Sequence, residues 1–410
     1  MTLKQDANYI ISESIKNVLP DEAVKKALSN KEFGEGKIYV VAAGKAAWQM
    51  AKAVSDILGD NIEKGVVVTK YDHVNGPIDH MTCFEAGHPV PDENSFIGTQ
   101  SAIDLVSDLQ KEDTVLFLLS GGGSALFEKP FISKEELADL TQQLLACGAD
   151  ITEINTIRKR ISAIKGGKFA QICAPAHVFS IVLSDVLGDP LDMIASGPAY
   201  PDSSTSDQAK AIVEKYNLKL SEQATALLDV ETPKQLDNVE TMITGSVRNL
   251  CQAVSEACIK LGYEPIFLTD QLTCQAREAG VFMASIAKSY QNTDKSLAFI
   301  AGGETVVHLT GKGKGGRNQE LALASALGIS GLNQTAVFSV GSDGTDGPTD
   351  AAGGYVDQDT NNALLDLGIH IYDVLKDNDA YHALKKVDGL IMTGPTGTNV
   401  NDVAVLLIKR

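Results

Sequence analysis

Leu116-Phe117-Leu118-Leu119-Ser120-Gly121-Gly122-Gly123-Ser124-Ala125 reads as a buried strand that ends in a glycine turn and leads into a helix. An unbroken apolar run without polar alternation belongs to a strand covered on both faces, the habit of parallel sheets. Successive glycines let the backbone take positive φ and approach a ligand closely. Ligands of open α/β sheets bind beyond the carboxyl ends of the strands. The same order of events recurs upstream, in Val40-Val41-Ala42-Ala43-Gly44-Lys45-Ala46-Ala47. There a lysine stands at the start of a helix, beside unpaired backbone N–H groups and the positive helix end. That placement is electrostatically poor unless an anion lies between them; the plain alternative is a surface lysine whose head reaches water.

Outward from these two stretches, short apolar runs alternate with amphipathic segments. Strands are expected at Lys37–Ala43, Gly65–Thr69, Met81–Glu85, Thr114–Leu119 and Val178–Ser184, with helices at Ala46–Leu58, Ser95–Leu109, Lys134–Leu145 and Asn155–Ile172. This is the pattern of a parallel sheet with helices on both faces. A polar stretch near Asp229–Asn238 interrupts it, and a domain boundary is placed there, giving domains 1–235 and 236–410. Beyond it, strands are expected at Thr241–Thr244, Pro265–Leu268, Ser296–Ala301, Val306–Leu309, Ala336–Val340, Leu390–Met392 and Val403–Ile408, with helices at Val247–Leu261, Ala276–Tyr290 and Asn318–Leu327. The fold class is α/β in both domains.

Composition narrows the function. The 410 residues are 44% hydrophobic and 21% charged, which suits a globular chain with room for two cores. Lys plus Arg number 35 and Asp plus Glu 53, a net charge of −18 that repels nucleic acid and anionic lipid. The six cysteines form no C-x-x-C pair and are expected to be reduced and mostly buried, with no zinc site. Met1–Pro20 does not read as a signal peptide and no run approaches a membrane span, so a cytoplasmic protein is expected.

Two more glycine-rich loops stand out against that negative charge. Thr310-Gly311-Lys312-Gly313-Lys314-Gly315-Gly316-Arg317-Asn318 contains G-x-G-x-x-G, a weak match to a dinucleotide fingerprint. Lys312, Lys314 and Arg317 put three cations within six residues of flexible backbone, which suits a triphosphate better. Gly341-Ser342-Asp343-Gly344-Thr345-Asp346-Gly347-Pro348-Thr349-Asp350 gathers three aspartates at a spacing unlike a calcium loop. Hard oxygen ligands of this kind suit a Mg²⁺ that keeps most of its waters and binds through phosphates. Asp185 and Asp189, just past a strand, are further candidates for a metal or a base. In Ile154–Lys168 an isoleucine stripe marks a core face, while Arg158, Ser162 and Lys165 share another face that is basic and either solvated or anion-binding. No Ser-His-Asp or Cys-His arrangement is visible. Basic loops, acidic loops and a lysine at a helix start together fit phosphoryl transfer in a cleft between the domains.

The chain also resembles a known family, the type II glycerate 2-kinases or MOFRL family, whose members often carry the label hydroxypyruvate reductase. The resemblance rests on A-A-G-K-A at Ala42–Ala46, G-H-P-V-P-D-E at Gly87–Glu93, S-G-G-G-S-A at Ser120–Ala125 and N-T-I-R-K-R-I-S-A-I-K-G-G at Asn155–Gly167. It continues through S-D-V-L-G-D-P at Ser184–Pro190, A-S-G-P at Ala195–Pro198, G-G-E-T at Gly302–Thr305 and G-G-R-N-Q-E at Gly315–Glu320. The last motifs are S-D-G-T-D-G-P-T-D-A-A-G at Ser342–Gly353 and T-G-P-T-G-T-N-V-N-D at Thr393–Asp402.

The resemblance implies a larger Rossmann-like N-terminal domain, a smaller α/β C-terminal domain and an active site in the cleft between them. It implies ATP-dependent phosphorylation of D-glycerate to 2-phospho-D-glycerate with Mg²⁺ or another divalent cation. The family's catalytic lysine falls on Lys45 and its catalytic arginine on Arg317. Substrate or nucleotide binding is expected of Ser120, Gly121, Gly122, Gly123, Ser124, Asn155, Arg158, Lys165, Gly315, Gly316 and Asn318, and metal binding of Asp185, Asp189 or Asp343. The expected partner is the small-molecule substrate, with no nucleic acid and no membrane; self-association into a homo-oligomer is compatible with this reading. Two alternatives are an NAD(P)H-dependent hydroxypyruvate reductase using Gly311–Gly316 and a non-catalytic binder of phosphorylated metabolites. The reductase fits loosely, since the nearest acid at a strand end, Asp343, lies 27 residues after Gly316 where about 20 is usual.

Overall fold

The computed structural model describes residues 2–410 and divides into two compact units, Ala23–Thr244 and Met1–Glu22 with Gly245–Arg410. In the first unit, β1 (Ile38–Ala43), β2 (Ile62–Lys70), β3 (Met81–Ala86), β4 (Thr114–Leu119), β5 (His177–Leu183) and β6 (Val239–Gly245) form one sheet in the order β3-β2-β1-β4-β5-β6. Pairing from β3 through β5 is parallel. This is the doubly wound order, and its direction reverses between β1 and β4, where the carboxyl ends open a crevice. The apolar run of β4 explains its central place: Val115 and Phe117 pack into the core on one face, Leu116 and Leu118 into the core on the other. Phe117 meets Phe127 and Phe169 with ring centroids 4.8–5.6 Å apart, which fixes the segment after the glycines onto the sheet.

The second unit has a mixed sheet. Its strands are β7 (Glu264–Leu272), β8 (Leu297–Gly303), β9 (Thr335–Gly341), β10 (Gly353–Asp357), β11 (Leu390–Ile391) and β12 (Asp402–Ile408), in the order β11-β10-β9-β12-β8-β7. Only β7 and β8 are parallel; the remaining pairs are antiparallel. The helices Leu3–Asn17 and Val247–Lys260 cover one face, and Ala276–Ser289 and Arg317–Ile329 the other. Asp6 of the first helix is buried and accepts from Tyr263 Oη and Lys409 Nζ, both at 2.7 Å.

Several expectations need correction. The segment Thr241–Thr244 closes the first sheet as part of β6, so the first unit extends past residue 235, and residues up to Glu22 pack with the second unit. Val306–Leu309 is not a strand; Val306 makes only an isolated bridge to Gln275, and Leu309 is 78% exposed. An apolar run that lines an open cleft imitates a strand in sequence. β10 is missed because its first residues, Gly353-Gly354, read as loop; Gly353 is required there, since a Cβ would lie 1.9 Å from the Ser339 carbonyl oxygen on β9. The helix expected over Asn155–Ile172 is broken into Ile151–Ile161 and Lys168–Cys173, because Gly166 and Gly167 take φ of +61° and +84°. All six cysteines are free thiols, as expected. Among the described residues no helix is long and apolar enough to cross a membrane.

Candidate active site

In the first unit the expected loops meet at the β1/β4 crevice. Gly44 has φ of +120°, and a Cβ there would lie 2.3 Å from Ser120 Oγ, so glycine is what lets the turns after β1 and β4 touch. The two turns are stitched together: Lys45 N donates to Gly121 O at 2.8 Å, and Ala46 N to Ser120 Oγ at 3.1 Å. Lys45 is half-buried, and among the described residues its ammonium makes no ion pair and no hydrogen bond. Gly122 takes φ of +84° and starts a single helical turn, Gly123–Leu126. The amides of Gly121 and Gly122 donate to no other group among the described residues. Asp185, after β5, brings its carboxylate against Gly121, where a Cβ would meet Oδ2 at 2.3 Å.

Arg158 and Lys165 hold this loop from beneath. Lys165 is fully buried and donates to the carbonyls of Ser124 at 3.0 Å, Phe127 at 3.2 Å and Ala195 at 3.4 Å, with Glu128 Oε2 at 3.5 Å. Burial lowers its pKa to about 8, against the opposing pull of the Glu128 carboxylate. Arg158 also donates to Ser124 O, at 3.1 Å. The neighbouring Lys159 and Arg160 are buried and face Asp202, so this basic segment is not a solvated face. Asn155 is buried as well, its Oδ1 accepting from Ser196 Oγ at 2.7 Å. Lys165 and Asn155 were both expected to touch ligand; in the structure the Lys165 ammonium holds the carbonyls of Ser124, Phe127 and Ala195, and the Asn155 side chain holds Ser196.

In the second unit Arg317 opens the helix Arg317–Ile329 and is gripped by two carboxylates that sequence reasoning missed. Its Nε and one terminal nitrogen donate to Asp402 at 2.5 and 3.1 Å, and the other nitrogen donates to Glu304 at 2.7 Å. Burial lowers the guanidinium pKa, but the hydrogen bonds and charges of Asp402 and Glu304 outweigh it and the net shift is upward. Both acids lie in quoted motifs, Glu304 directly after β8 and Asp402 at the start of β12. The register Asp402↔Gly303 makes them neighbours.

The acidic loop divides. Asp346 is buried and its carboxylate accepts from the amides of Asn318 at 3.2 Å and Gln319 at 2.9 Å, capping the helix of Arg317. Burial pushes its pKa up to about 6, with those two amides pulling the other way. Gly316 permits the contact, since a Cβ would lie 2.2 Å from Asp346 Cγ. Asn318, expected to bind ligand, is buried and accepts from Ser339 Oγ at 2.6 Å. Asp350 accepts from Tyr381 Oη at 2.8 Å. Asp343 and Asp346 both line a cleft of about 730 Å³ together with Arg317, Gly315, Gly316 and Thr345, and Asp343 is the less buried of the two. The G-x-G-x-x-G segment does not behave as a dinucleotide loop. The amide of Gly311 donates to Asn378 Oδ1, that of Lys312 to Asp377 Oδ1, that of Gly313 to Asp377 O and that of Lys314 to Asp379 Oδ1. A pyrophosphate would need those donors.

A divalent cation fits the oxygen donors present. Among the described residues no group of three or more His, Cys, Asp or Glu side chains is arranged to hold a metal. Asp189 Oδ1, however, is buried without a hydrogen-bond partner, a short step along the chain from Asp185. One or two carboxylates completed by water and phosphate oxygens are the usual Mg²⁺ set.

Comparison with known proteins follows the same lines. A domain of unknown function, DUF4147, matches residues 6–229, and the MOFRL family matches residues 297–402. A Thermotoga maritima protein named D-glycerate 2-kinase is 52% identical, with 99% of each chain covered. A glycerate 2-kinase of Pyrococcus horikoshii is 40% identical over all of this chain and 98% of its own. The crystal structure of a Thermotoga maritima glycerate kinase superposes with a TM-score of 0.95 at 52% identity, covering 99% of both chains. These full-length likenesses show that the chain belongs to the type II glycerate 2-kinase family, the MOFRL family.

Proposed function

We propose that this chain transfers the γ-phosphoryl group of ATP to the 2-hydroxyl of D-glycerate, giving 2-phospho-D-glycerate and ADP with the help of a divalent cation. The observation that carries the reading is full-length identity of 52% to a protein named D-glycerate 2-kinase. In the reaction the 2-hydroxyl oxygen forms a bond to the γ-phosphorus, and the bond from that phosphorus to the β,γ-bridging oxygen breaks. Arg317, pre-set by Asp402 and Glu304, stabilises charge on the transferring group through its planar donor fork. Lys45 supplies an unpaired ammonium beside two free amides, a fit for an anionic substrate group. Asp185, Asp189 or Asp343 would hold the cation, and one of these carboxylates accepts the hydroxyl proton. The cation, when bound, neutralises phosphate charge. Ser120–Ser124 lines the substrate, with Arg158 and Lys165 fixing the loop and Gly315, Gly316 and Asn318 fixing the start of the Arg317 helix. The net charge of −18 suits a cytoplasmic enzyme.

The reductase alternative loses its support in the occupied amides of Gly311–Lys314. One assay separates the readings. ADP should appear only when D-glycerate, ATP and Mg²⁺ are all present, and Lys45→Ala should abolish it. Consumption of NADH or NADPH with hydroxypyruvate, and no ADP, would reverse the assignment. Ligand binding with neither turnover would indicate a binding module.

A further inference from the structure

The carboxyl ends of β1, β2, β3 and β4 bring four basic side chains to one place. Lys45 follows β1, Lys70 ends β2, His73 lies just beyond it, and His88 follows β3. The His88 imidazole lies over Gly122: a Cβ on that glycine would be 3.0 Å from Cδ2 and 3.2 Å from Nε2 of His88, and 3.2 Å from Lys45 Cγ. His73 Nδ1 is 3.0 Å from Lys45 O. The positive charges of Lys45 and Lys70 and the His73 ring all act on His88; together with burial, the largest effect, they lower its pKa and keep it neutral. Neither lysine ammonium has an ion-pair partner among the described residues, in a chain of net charge −18.

Among the described residues, Glu85 and Asp92 make no ion pair with this cluster and are turned to other partners. Glu85 Oε1 accepts the amides of His73 and Val74, both at 3.0 Å, and Asp92 caps the helix Glu93–Val106 and accepts from Tyr71 Oη. Asp185 stands on the far side of the loop, against Gly121.

These positions also limit what can bind. The imidazole stands on the side of Gly122 where a Cβ would lie, and with the Lys45 stem it narrows the space there, which favours a compact anion over a polyphosphate. Two ammonium point charges and the free amides of Gly121 and Gly122 suit a single carboxylate, and a neutral imidazole offers one donor and one acceptor to an adjacent hydroxyl. Resting on the kinase reading above, we propose that Lys70 and His88, with Lys45, form the acceptor-recognition pocket: the lysines bind the carboxylate of glycerate and His88 hydrogen-bonds a hydroxyl.

The test uses full-length protein carrying Lys70→Met or His88→Gln. Calorimetry without nucleotide measures D-glycerate binding, and steady-state kinetics give KM for each substrate. Each substitution should weaken D-glycerate binding and raise its KM at least tenfold, while KM for ATP stays within twofold. A rise in KM for ATP instead would assign the cluster to the nucleotide, and unchanged binding of D-glycerate would remove Lys70 and His88 from recognition; either result overturns the proposal. Should His88→Gln fail to fold, Lys70→Met carries the test alone. The two readings fail separately: wild type that binds D-glycerate yet forms no ADP would refute the kinase and leave the pocket standing.

Discussion

Asp402 holds Arg317 through two parallel hydrogen bonds, from Nε at 2.5 Å and a terminal nitrogen at 3.1 Å. Asp402 is itself buried, and burial raises its pKa while the guanidinium opposes the shift. The pair is mutually sustaining, because each charge would be costly in that place without the other. Glu304 takes the remaining terminal nitrogen from the more exposed side. Arg317 is thus held in one orientation by its two carboxylate partners.

That arrangement predicts the effect of Asp402→Asn. The amide keeps the size of the carboxylate but offers one acceptor and no charge, so the fork loses its anchor. A misplacement of about 1 Å costs roughly 100-fold in rate, and a fall in kcat of about that size is expected from steady-state kinetics. An unchanged kcat would show that Glu304 alone orients the arginine.

Arg317→Lys should be nearly as damaging as Arg317→Ala. Lysine keeps the charge and loses the planar fork, so it can serve neither Asp402 bidentately nor the phosphoryl oxygens. Losing one such donor costs about 100- to 1,000-fold. Recovery of most of kcat by lysine would mean that Arg317 acts as a point charge.

Lys165 should make the stability of wild type depend on pH in a defined direction, and Lys165→Met should remove that dependence. The folded protein holds the Lys165 proton only up to about pH 8, against an ordinary value of 10.5. Above pH 8 the unfolded chain therefore binds the extra proton, and stability rises with pH across that window. The stability of wild type relative to Lys165→Met should grow between pH 8 and 10, as read by urea unfolding at pH 7.5 and 9.5. A constant difference would show that Lys165 keeps an ordinary pKa.

Much of this was legible in the sequence, and the exceptions have physical causes. The bounds of β4 and its glycine turn were readable because a short unbroken apolar run closed by successive glycines is the pattern of a doubly covered strand. Lys45 was readable because a cation at a helix start is locally unfavourable. The internal partners of Lys165 and Asn155 were not readable, because they are backbone carbonyls and a serine brought in by Ala195–Ser196, and no spacing reveals that contact. Asp346 looked like one of three equivalent aspartates, yet it caps a helix whose first residue lies 29 positions earlier. Glu304 and Asp402 were in view as motif letters, but only the pairing of β8 with β12 brings them together.

Asp343→Asn should raise the Mg²⁺ concentration needed for half-maximal rate while leaving the fold intact. Asp346 is buried and caps the Arg317 helix and Asp350 accepts from Tyr381, whereas Asp343 lines the Arg317 cleft only half-buried and accepts a single amide, that of Thr345 at 2.9 Å. Mg²⁺ titrations of kcat for wild type and variant make the comparison. Superimposable curves would move the cation to Asp185 and Asp189.

Phosphorus NMR of the product tests the central assignment most directly. Wild-type protein incubated with D-glycerate, ATP and Mg²⁺ should yield ADP and a phosphate ester whose resonance is split by the single proton on C2. A resonance split by the two protons of C3, or no ester at all, would contradict phosphorylation at the 2-hydroxyl.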